Sequence, residues 1–279
     1  MSDPRSGVLI TVDALAARIS DAAGLVLLDV SDDLQTAPLE RPVIPGAIAV
    51  SLASDFSGPA TKEGGRRPLP DADTLQKNLR RLGINADSLV VVYDNASGAQ
   101  AGRAWWTLRW AGHGNVCLLD GGLGAWKAAG HDTAPQPVHP SGNGGITVKP
   151  GGMPVIEADE AAEIARDGAL LDARGKTAYK GEADKPATGH IPGAVCAAAA
   201  NTIGSDGCFK STEDLRALFA GLGADGARPM GVYCGSGNAA AFELAAMYAA
   251  GLQAPLYVGS WSAWTGDPAR PVAQGPERG

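Results

Sequence analysis

The residue best suited to covalent chemistry in this chain is a cysteine in its second half, Cys234. The apolar pair Val232-Tyr233 precedes it and is typical of the end of a buried strand. The run Gly235-Ser236-Gly237-Asn238-Ala239 follows it and leads into an Ala-rich helical pattern. A strand–loop–helix turn directs several backbone N–H groups and a helix N-terminus at one point. The sequence therefore predicts a nucleophilic cysteine whose thiolate form is stabilised by this turn.

Two interpretations of Cys234 remain open from these residues alone. A buried cysteine at a strand end can act simply as a small hydrophobic side chain. The glycines that follow favour a reactive cysteine, because glycine lets the backbone curl around a bound group. The other three cysteines are predicted to be structural: Cys117 and Cys196 lie in apolar segments, and Cys208 lies in a turn. With no C-x-x-C pair, we predict free thiols in a reducing compartment and no metal site.

The elements that must position this loop occur twice in the chain. Four segments of the first half recur in the second half in the same order, which is the pattern of a duplicated domain and has too long a period for a solenoid. The pairs are Leu27-Leu28-Asp29-Val30 with Leu170-Leu171-Asp172-Ala173, Ile44-Pro45-Gly46-Ala47 with Ile191-Pro192-Gly193-Ala194, Val91-Val92-Tyr93-Asp94 with Gly231-Val232-Tyr233-Cys234, and Asp120-Gly121-Gly122-Leu123-Gly124-Ala125-Trp126 with Val258-Gly259-Ser260-Trp261-Ser262-Ala263-Trp264.

The repeat predicts two domains with a linker between them. We place the N-terminal domain at residues 7–130 and the C-terminal domain at 153–270. Residues 131–152 are rich in Pro and Gly, as linkers are. Within each copy, short apolar runs alternate with helical patterns. This alternation predicts an α/β fold in which each domain is a mainly parallel sheet flanked by helices.

Composition and charge limit the function classes. The formal net charge is −7, which disfavours a general surface for nucleic acid or for anionic membrane. The chain contains no run of 18 apolar residues, so we expect no membrane-spanning helix. The N-terminal residues lack the basic-then-apolar pattern of a signal peptide, and we therefore expect a cytoplasmic protein.

The duplicated segments resemble the tandem rhodanese family of sulfurtransferases. The resemblance rests on the two Ile-Pro-Gly-Ala segments, on the Leu-Asp-Gly-Gly-Leu segment with its Trp, and on the C-terminal Gly-Ser-Trp-Ser-Ala-Trp. It extends from about Leu9 to Trp264. The loop that begins Cys234-Gly235-Ser236-Gly237 resembles the branch that contains 3-mercaptopyruvate sulfurtransferases. Asp94 stands where the first copy would have the cysteine, which implies that the N-terminal domain is catalytically silent.

The resemblance implies a double displacement that needs neither a metal nor an organic cofactor. Cys234 takes a sulfur atom from a small donor, 3-mercaptopyruvate or thiosulfate, and becomes a persulfide. The outer sulfur then passes to a thiophilic acceptor such as cyanide, a thiol or a protein. Ser236 matches the loop serine that bonds the reacting group, and the rest of the loop, residues 235–239, would line the donor site.

The chain departs from the family at two places that concern the donor. The family arginine that binds the donor's anionic group falls on Ala178, and we expect the neighbouring Lys176 and Lys180 to replace it. Lysine offers a point charge and not a two-pronged guanidinium. Arg66 or Arg67, in the first copy, is expected to bind a carboxylate at the same site.

The second departure concerns the acid that the family pairs with the loop serine. It falls near Ala53, and we expect Asp55 to replace it. Because of these departures a second function stays open, that of a sulfur carrier or interaction module with little turnover on small donors. A cysteine phosphatase is disfavoured, because that chemistry needs an Arg six residues after the cysteine and Ala240 stands there.

Overall fold

The computed structural model describes residues 3–21, 24–31, 42–185 and 187–279. The chain divides into two compact units that follow the duplication. The first unit consists of Met1–Gly58, Pro70–Met153 and Gly204–Phe209, and the second of Pro59–Leu69, Pro154–Ile203 and Lys210–Gly279. Each half of the sequence therefore contributes one short segment to the unit formed mainly by the other half.

The first unit contains a five-stranded sheet in which all strand pairs are parallel. The strands are β1 (Leu9–Ile10), β2 (Leu25–Ser31), β3 (Ile48–Ser51), β4 (Leu89–Tyr93) and β5 (Val116–Leu119), in the spatial order β1-β5-β4-β2-β3. The helices are α1 (Val12–Asp21), α2 (Leu52–Asp55), α3 (Ala72–Arg81), α4 (Ala99–Trp110) and α5 (Gly122–Ala128).

The second unit repeats this arrangement. Its strands are β6 (Val155–Ile156), β7 (Ala169–Asp172), β8 (Val195–Cys196), β9 (Met230–Tyr233) and β10 (Leu256–Tyr257), in the equivalent order β6-β10-β9-β7-β8. Its helices are α6 (Ala158–Asp167), α7 (Lys176–Lys180), α8 (Thr212–Gly221), α9 (Asn238–Ala249) and α10 (Ser260–Trp264). The predicted fold, two parallel sheets flanked by helices, is confirmed.

Local sequence explains where the key elements begin. Strand β4 is a run of Leu, Val and Tyr that is buried over most of its length, as expected for an inner parallel strand. Helix α8 begins after Ser211, whose hydroxyl accepts the backbone N–H of Asp214 and so caps the helix. Helix α9 is almost entirely buried, which fits its lack of a polar face.

The two Ile-Pro-Gly-Ala segments are tight turns held by a tyrosine of the neighbouring strand. In the first unit the N–H of Ile44 donates to the hydroxyl of Tyr93 at 3.1 Å. In the second unit the N–H of Ile191 donates to the hydroxyl of Tyr233 at the same distance. These tyrosines end β4 and β9. The Ile-Pro-Gly-Ala segment and the strand-ending tyrosine therefore recur together because the tyrosine hydroxyl holds the turn.

The closing tryptophans anchor each unit in the same way. Trp126 and Trp264 are buried in the two cores. Their indole N–H groups donate to the carbonyls of Asp132 and Pro271, which satisfies the polar end of each ring. Among the helices described here, none is long and apolar enough to cross a membrane.

Candidate active site

Cys234 lies immediately after β9 and at the start of the loop that leads into α9. Its side chain is 3% exposed. The backbone N–H of Gly237 donates to its sulfur at 3.1 Å. Gly237 has a φ of +85°, a left-handed conformation that glycine adopts without strain. The sulfur therefore lies at the N-terminus of a 12-residue helix, where a negative charge is stabilised.

The backbone of this loop is held by the segment around α10. The N–H of Cys234 donates to the hydroxyl of Ser260 at 3.2 Å. In the opposite direction, the N–H of Trp261 donates to the carbonyl of Cys234 at 2.9 Å, and the N–H of Ser262 to that of Gly235 at 3.0 Å. In the sequence, this Gly-Ser-Trp-Ser motif indicated the duplication and the family resemblance. The structure shows that the motif fixes the backbone on both sides of the cysteine.

Arg66 lies against the cysteine loop, in the segment that the first half of the sequence contributes to the second unit. Its backbone N–H donates to the hydroxyl of Ser262 at 3.0 Å. A Cβ atom placed on Gly235 would lie 3.1 Å from the Arg66 guanidinium nitrogen Nη2. The Arg66 side chain is exposed, whereas the neighbouring Arg67 is half-buried. Of the two arginines predicted at the donor site, Arg66 thus contacts the loop that begins with Cys234.

A buried ion pair lies beside the strand that carries Cys234. Asp172, at the end of β7, is fully buried and accepts a hydrogen bond from the Tyr233 hydroxyl at 2.6 Å. Arg174 donates to the same carboxylate through Nε and Nη2. The Arg174 guanidinium also stacks over the Trp261 ring, 4.6 Å from its centroid. Arg174 therefore forms a structural ion pair with Asp172.

Burial and the nearby Asp172 carboxylate raise the pKa of Tyr233 well above its usual value of 10. The phenol therefore stays protonated over the physiological range and keeps donating to Asp172. This network connects β7, β9 and α10 directly behind the reactive loop. Its hydrogen bonds involve a charged group, which makes them stronger than neutral ones.

The remaining loop residues present polar atoms near the sulfur. Ser236 is half-buried, and its hydroxyl makes no hydrogen bond with any residue that the structure describes. The side-chain oxygen of Asn238 is buried and has no partner within the described part of the chain. Ala239 is half-buried in the first turn of α9. The predicted loop residues therefore lie together around Cys234.

The lysines expected to replace the family arginine lie on α7, the helix that follows β7 in the second unit. Lys176, Lys180 and Ala178 are all exposed on α7. The positive charge of Lys176 partly offsets the burial that raises the pKa of Cys196, which belongs to β8. In the sheet order, β7 separates β8 from β9. The donor-binding role of the two lysines stays a prediction.

Asp55 and Ala53 belong to α2 of the first unit. The Asp55 carboxylate is buried, and both of its oxygens are engaged within that unit. One oxygen accepts from Arg81 at 2.6 Å and the other from the backbone N–H of Ser51 at 2.9 Å. In this structure Asp55 closes the turn at the start of α2.

In the first unit, the loop equivalent to the cysteine loop binds a carboxylate. Asp94, the counterpart of Cys234, accepts four backbone N–H groups of its own loop and helix start. They belong to Ala96 and Gly98 at 2.9 Å, and to Gln100 and Ala101 at 3.1 Å. The strand–loop–helix turn of this fold is therefore an anion-binding cradle, which Asp94 fills with its own carboxylate.

The other cysteines are in settings that disfavour their thiolate forms. Burial raises the pKa of Cys117, Cys196 and Cys208 above the usual value of 9.0. Neighbouring carboxylates raise it further at two of them, Asp172 at Cys196 and Asp120 at Cys208. These thiols are therefore poor nucleophiles at neutral pH.

Comparison with known proteins agrees with the duplicated fold. The profile of the rhodanese-like domain matches residues 11–129 and again residues 157–267. The chain belongs to the rhodanese family. Both the resemblance inferred from the motifs and the expected tandem arrangement are confirmed.

Three relatives illustrate the range of this family. The chain is 42% identical to a protein of Pseudomonas aeruginosa named "Probable 3-mercaptopyruvate sulfurtransferase", over 97% of this chain and 99% of that protein. It is 29% identical to the sulfur carrier protein TtuD of Thermus thermophilus, over 97% of this chain and 98% of that one. The crystal structure of SseA from Escherichia coli is described as that of a 3-mercaptopyruvate sulfotransferase with the rhodanese fold. It superposes on this chain with a TM-score of 0.76 at 28% sequence identity, and the match covers 91% of this chain and 98% of SseA.

Proposed function

We propose that this protein is a sulfurtransferase that carries sulfane sulfur as a persulfide on Cys234. The observation that carries the proposal is the contact between the Gly237 N–H and the Cys234 sulfur at the N-terminus of α9. The first unit supports it, because the equivalent loop there binds the carboxylate of Asp94 with four N–H groups. Relatives named as sulfurtransferases at high coverage support the same reaction class.

The chemistry follows from a thiolate in an anion-binding cradle. The Cys234 thiolate attacks the terminal sulfur of the donor, and an S–S bond forms while the bond from that sulfur to the rest of the donor breaks. The leaving group takes the electron pair, as sulfite from thiosulfate or as the enolate of pyruvate from 3-mercaptopyruvate. The enolate then takes up the proton that the donor thiol carried. The acceptor thiolate or cyanide next attacks the outer sulfur and regenerates the Cys234 thiolate.

Backbone N–H groups are suited to both halves of this cycle. The negative charge passes from the thiolate to the persulfide without leaving the start of α9. Preorganised N–H donors stabilise such a charge without having to reorient during the reaction. The Ser236 hydroxyl, next to the sulfur in the chain, is proposed to bond the reacting group of the donor.

Arg66 is the proposed binding group for the anionic end of the donor. A guanidinium binds a carboxylate in two-pronged geometry, which favours 3-mercaptopyruvate as the first donor to test and leaves thiosulfate as the second. Lys176, Lys180 and Arg67 remain further proposals for this role. Asp55 does not suit it, because its carboxylate is itself an anion; its expected role as the acid paired with the loop serine stays a prediction. The acceptor is proposed to be a small thiol, cyanide or a protein thiol.

The first experiment measures sulfur loading directly. The protein is incubated with 3-mercaptopyruvate or with thiosulfate, and its intact mass is then determined before and after treatment with cyanide. We expect a gain of one sulfur atom that cyanide removes. Cys234→Ser should show no gain, whereas Cys196→Ser, the matched control, should load like the wild type. Failure of both donors to load the wild type would refute the proposal for small donors.

The second experiment tests the donor-binding role of Arg66. A charged hydrogen bond contributes about 1.5–3 kcal/mol, so Arg66→Ala should lower kcat/KM for 3-mercaptopyruvate by about 10- to 150-fold. The loss should be mainly in KM, and Arg66→Lys should recover part of it. Lys176→Ala serves as the matched control and should leave KM within about twofold. A larger effect of Lys176→Ala than of Arg66→Ala would transfer the role to α7.

The carrier function is the second candidate, and the likeness to the sulfur carrier TtuD favours it. The Ala residues at positions 178 and 53 point the same way, because both stand where the family has donor-side polar groups. A carrier would accept sulfur from a protein persulfide but hardly from either small donor. We further propose a cytoplasmic location, which suits a protein whose four cysteines are unpaired.

A further inference from the structure

Ser260 has a backbone conformation that is unfavourable for any residue with a side chain. Its φ is +53°, and within the described part of the chain it is the one non-glycine residue with a positive φ. The residue is fully buried, at 0% exposure. A left-handed conformation brings the Cβ atom close to the following carbonyl oxygen, which strains the chain. Such strain persists only where the surrounding structure compensates for it.

The duplicated domain shows what the fold itself requires here. Gly122 is the counterpart of Ser260 in the closing motif of the first unit, and its φ is +55°. The left-handed conformation is therefore a property of the fold in both units. Glycine adopts this conformation without strain. The backbone alone does not account for a serine in the second unit.

The hydroxyl of Ser260 accounts for the difference between the two units. It accepts the backbone N–H of Cys234 at 3.2 Å and donates to the carbonyl of Tyr257 at 2.8 Å. The donated bond fixes the orientation of the hydroxyl, so that a lone pair faces the cysteine N–H. In the first unit the loop residue is Asp94, and the counterpart glycine has no side chain to bond it. The strained serine thus occurs in the unit that has the cysteine.

We propose that Ser260 is a positioning residue for Cys234, an inference that rests on the proposed persulfide chemistry of that cysteine. Its hydroxyl fixes the peptide group that joins Cys234 to the preceding residue. This peptide group, together with the bond from the Trp261 N–H to the Cys234 carbonyl, orients the side chain so that the sulfur meets the Gly237 N–H. Ser260 acts through the backbone of Cys234 and contacts neither the donor nor the sulfur.

Two variants separate the hydroxyl from the strain. Ser260→Ala and Ser260→Gly both remove the hydroxyl, but only the glycine variant relieves the left-handed strain. We expect Ser260→Gly to melt about 2–4 °C above Ser260→Ala. Both variants should load sulfur about tenfold more slowly than the wild type in single turnover, as expected for the loss of one orienting hydrogen bond. The loss should be in kcat with KM unchanged, because the donor-binding groups are intact.

The matched control is Gly122→Ser in the first unit. It introduces the same strain at a φ of +55°, and its Cβ atom would lie 3.1 Å from the Asp94 carbonyl oxygen. We expect a lower melting temperature and an unchanged loading rate, measured where the variant is folded. This control shows whether loss of stability by itself slows the reaction.

The outcomes are distinct from those that test the proposed function. If Ser260→Gly loads sulfur at the wild-type rate, the residue is structural and the inference is overturned. If the wild type takes sulfur from neither donor, the persulfide proposal for small donors fails. The rate at which iodoacetamide alkylates Cys234 then still decides the role of Ser260. Equal alkylation rates in the wild type and both variants would overturn the positioning role of Ser260. Rates lowered alike in both variants would support that role.

Discussion

Glu243 carries a carboxyl group that the folded protein should keep protonated, and replacing it with glutamine should change how stability depends on pH. The residue lies in α9 and is 1% exposed. Its oxygen Oε2 is buried and hydrogen-bonds to no described residue. Burial, and secondarily the Asp172 carboxylate, raise the pKa of Glu243 well above its usual value of 4.5.

The size of the effect follows from proton linkage. In the unfolded chain Glu243 ionises with a pKa near 4.5, whereas the folded protein keeps the proton up to a much higher pH. The stabilisation is complete below the unfolded-state pKa and is lost as the pH rises toward the folded-state pKa. The free energy of unfolding should then fall by about 1.4 kcal/mol for each pH unit well inside that window. Between pH 5 and pH 6 this residue should account for a loss of about 1.2 kcal/mol.

The assay is urea unfolding at pH 5.0, 5.5 and 6.0 for the wild type and Glu243→Gln. The difference between the two free energies of unfolding should change by about 1.2 kcal/mol across this range, in favour of Glu243→Gln at the higher pH. The matched control is Glu163→Gln, at an exposed position of α6, which should follow the wild type in parallel. If Glu243→Gln also runs parallel to the wild type, the carboxyl group is not protonated in the folded state and the reasoning is wrong.

Three further predictions concern the two loops and the network behind the cysteine. Gly237→Ala and Gly98→Ala introduce the same backbone strain, at φ values of +85° and +80°, so thermal unfolding should show that each variant loses about 1–2 kcal/mol of stability. Only Gly237→Ala should slow sulfur loading. Tyr233→Phe removes a hydrogen-bond donor from the buried Asp172 carboxylate and should lower the free energy of unfolding, measured by urea titration, by about 1.5–3 kcal/mol. An unchanged free energy of unfolding would refute the stabilising role of this hydrogen bond. Asp94→Ala leaves four backbone N–H groups without their acceptor and should lower the free energy of unfolding by about 1–3 kcal/mol. Sulfur loading, measured by intact mass, should stay at the wild-type rate.

The sequence alone determined the duplication, the α/β class and the candidate cysteine. Each of these depends on local patterns: short apolar runs, helical spacing, and a cysteine followed by glycines and a helix. The cysteine loop could be located in the same way, since the strand, loop and helix are contiguous.

Only the tertiary structure decided which distant groups meet that loop. Arg66 lies in the first half of the sequence, but its segment packs in the second unit and reaches Gly235. Ser260 was part of a recognised motif, but its strain and its bond to Cys234 depend on how α10 packs against the loop. Such contacts follow from the packing of segments far apart in the chain, and local sequence patterns carry no information on that packing.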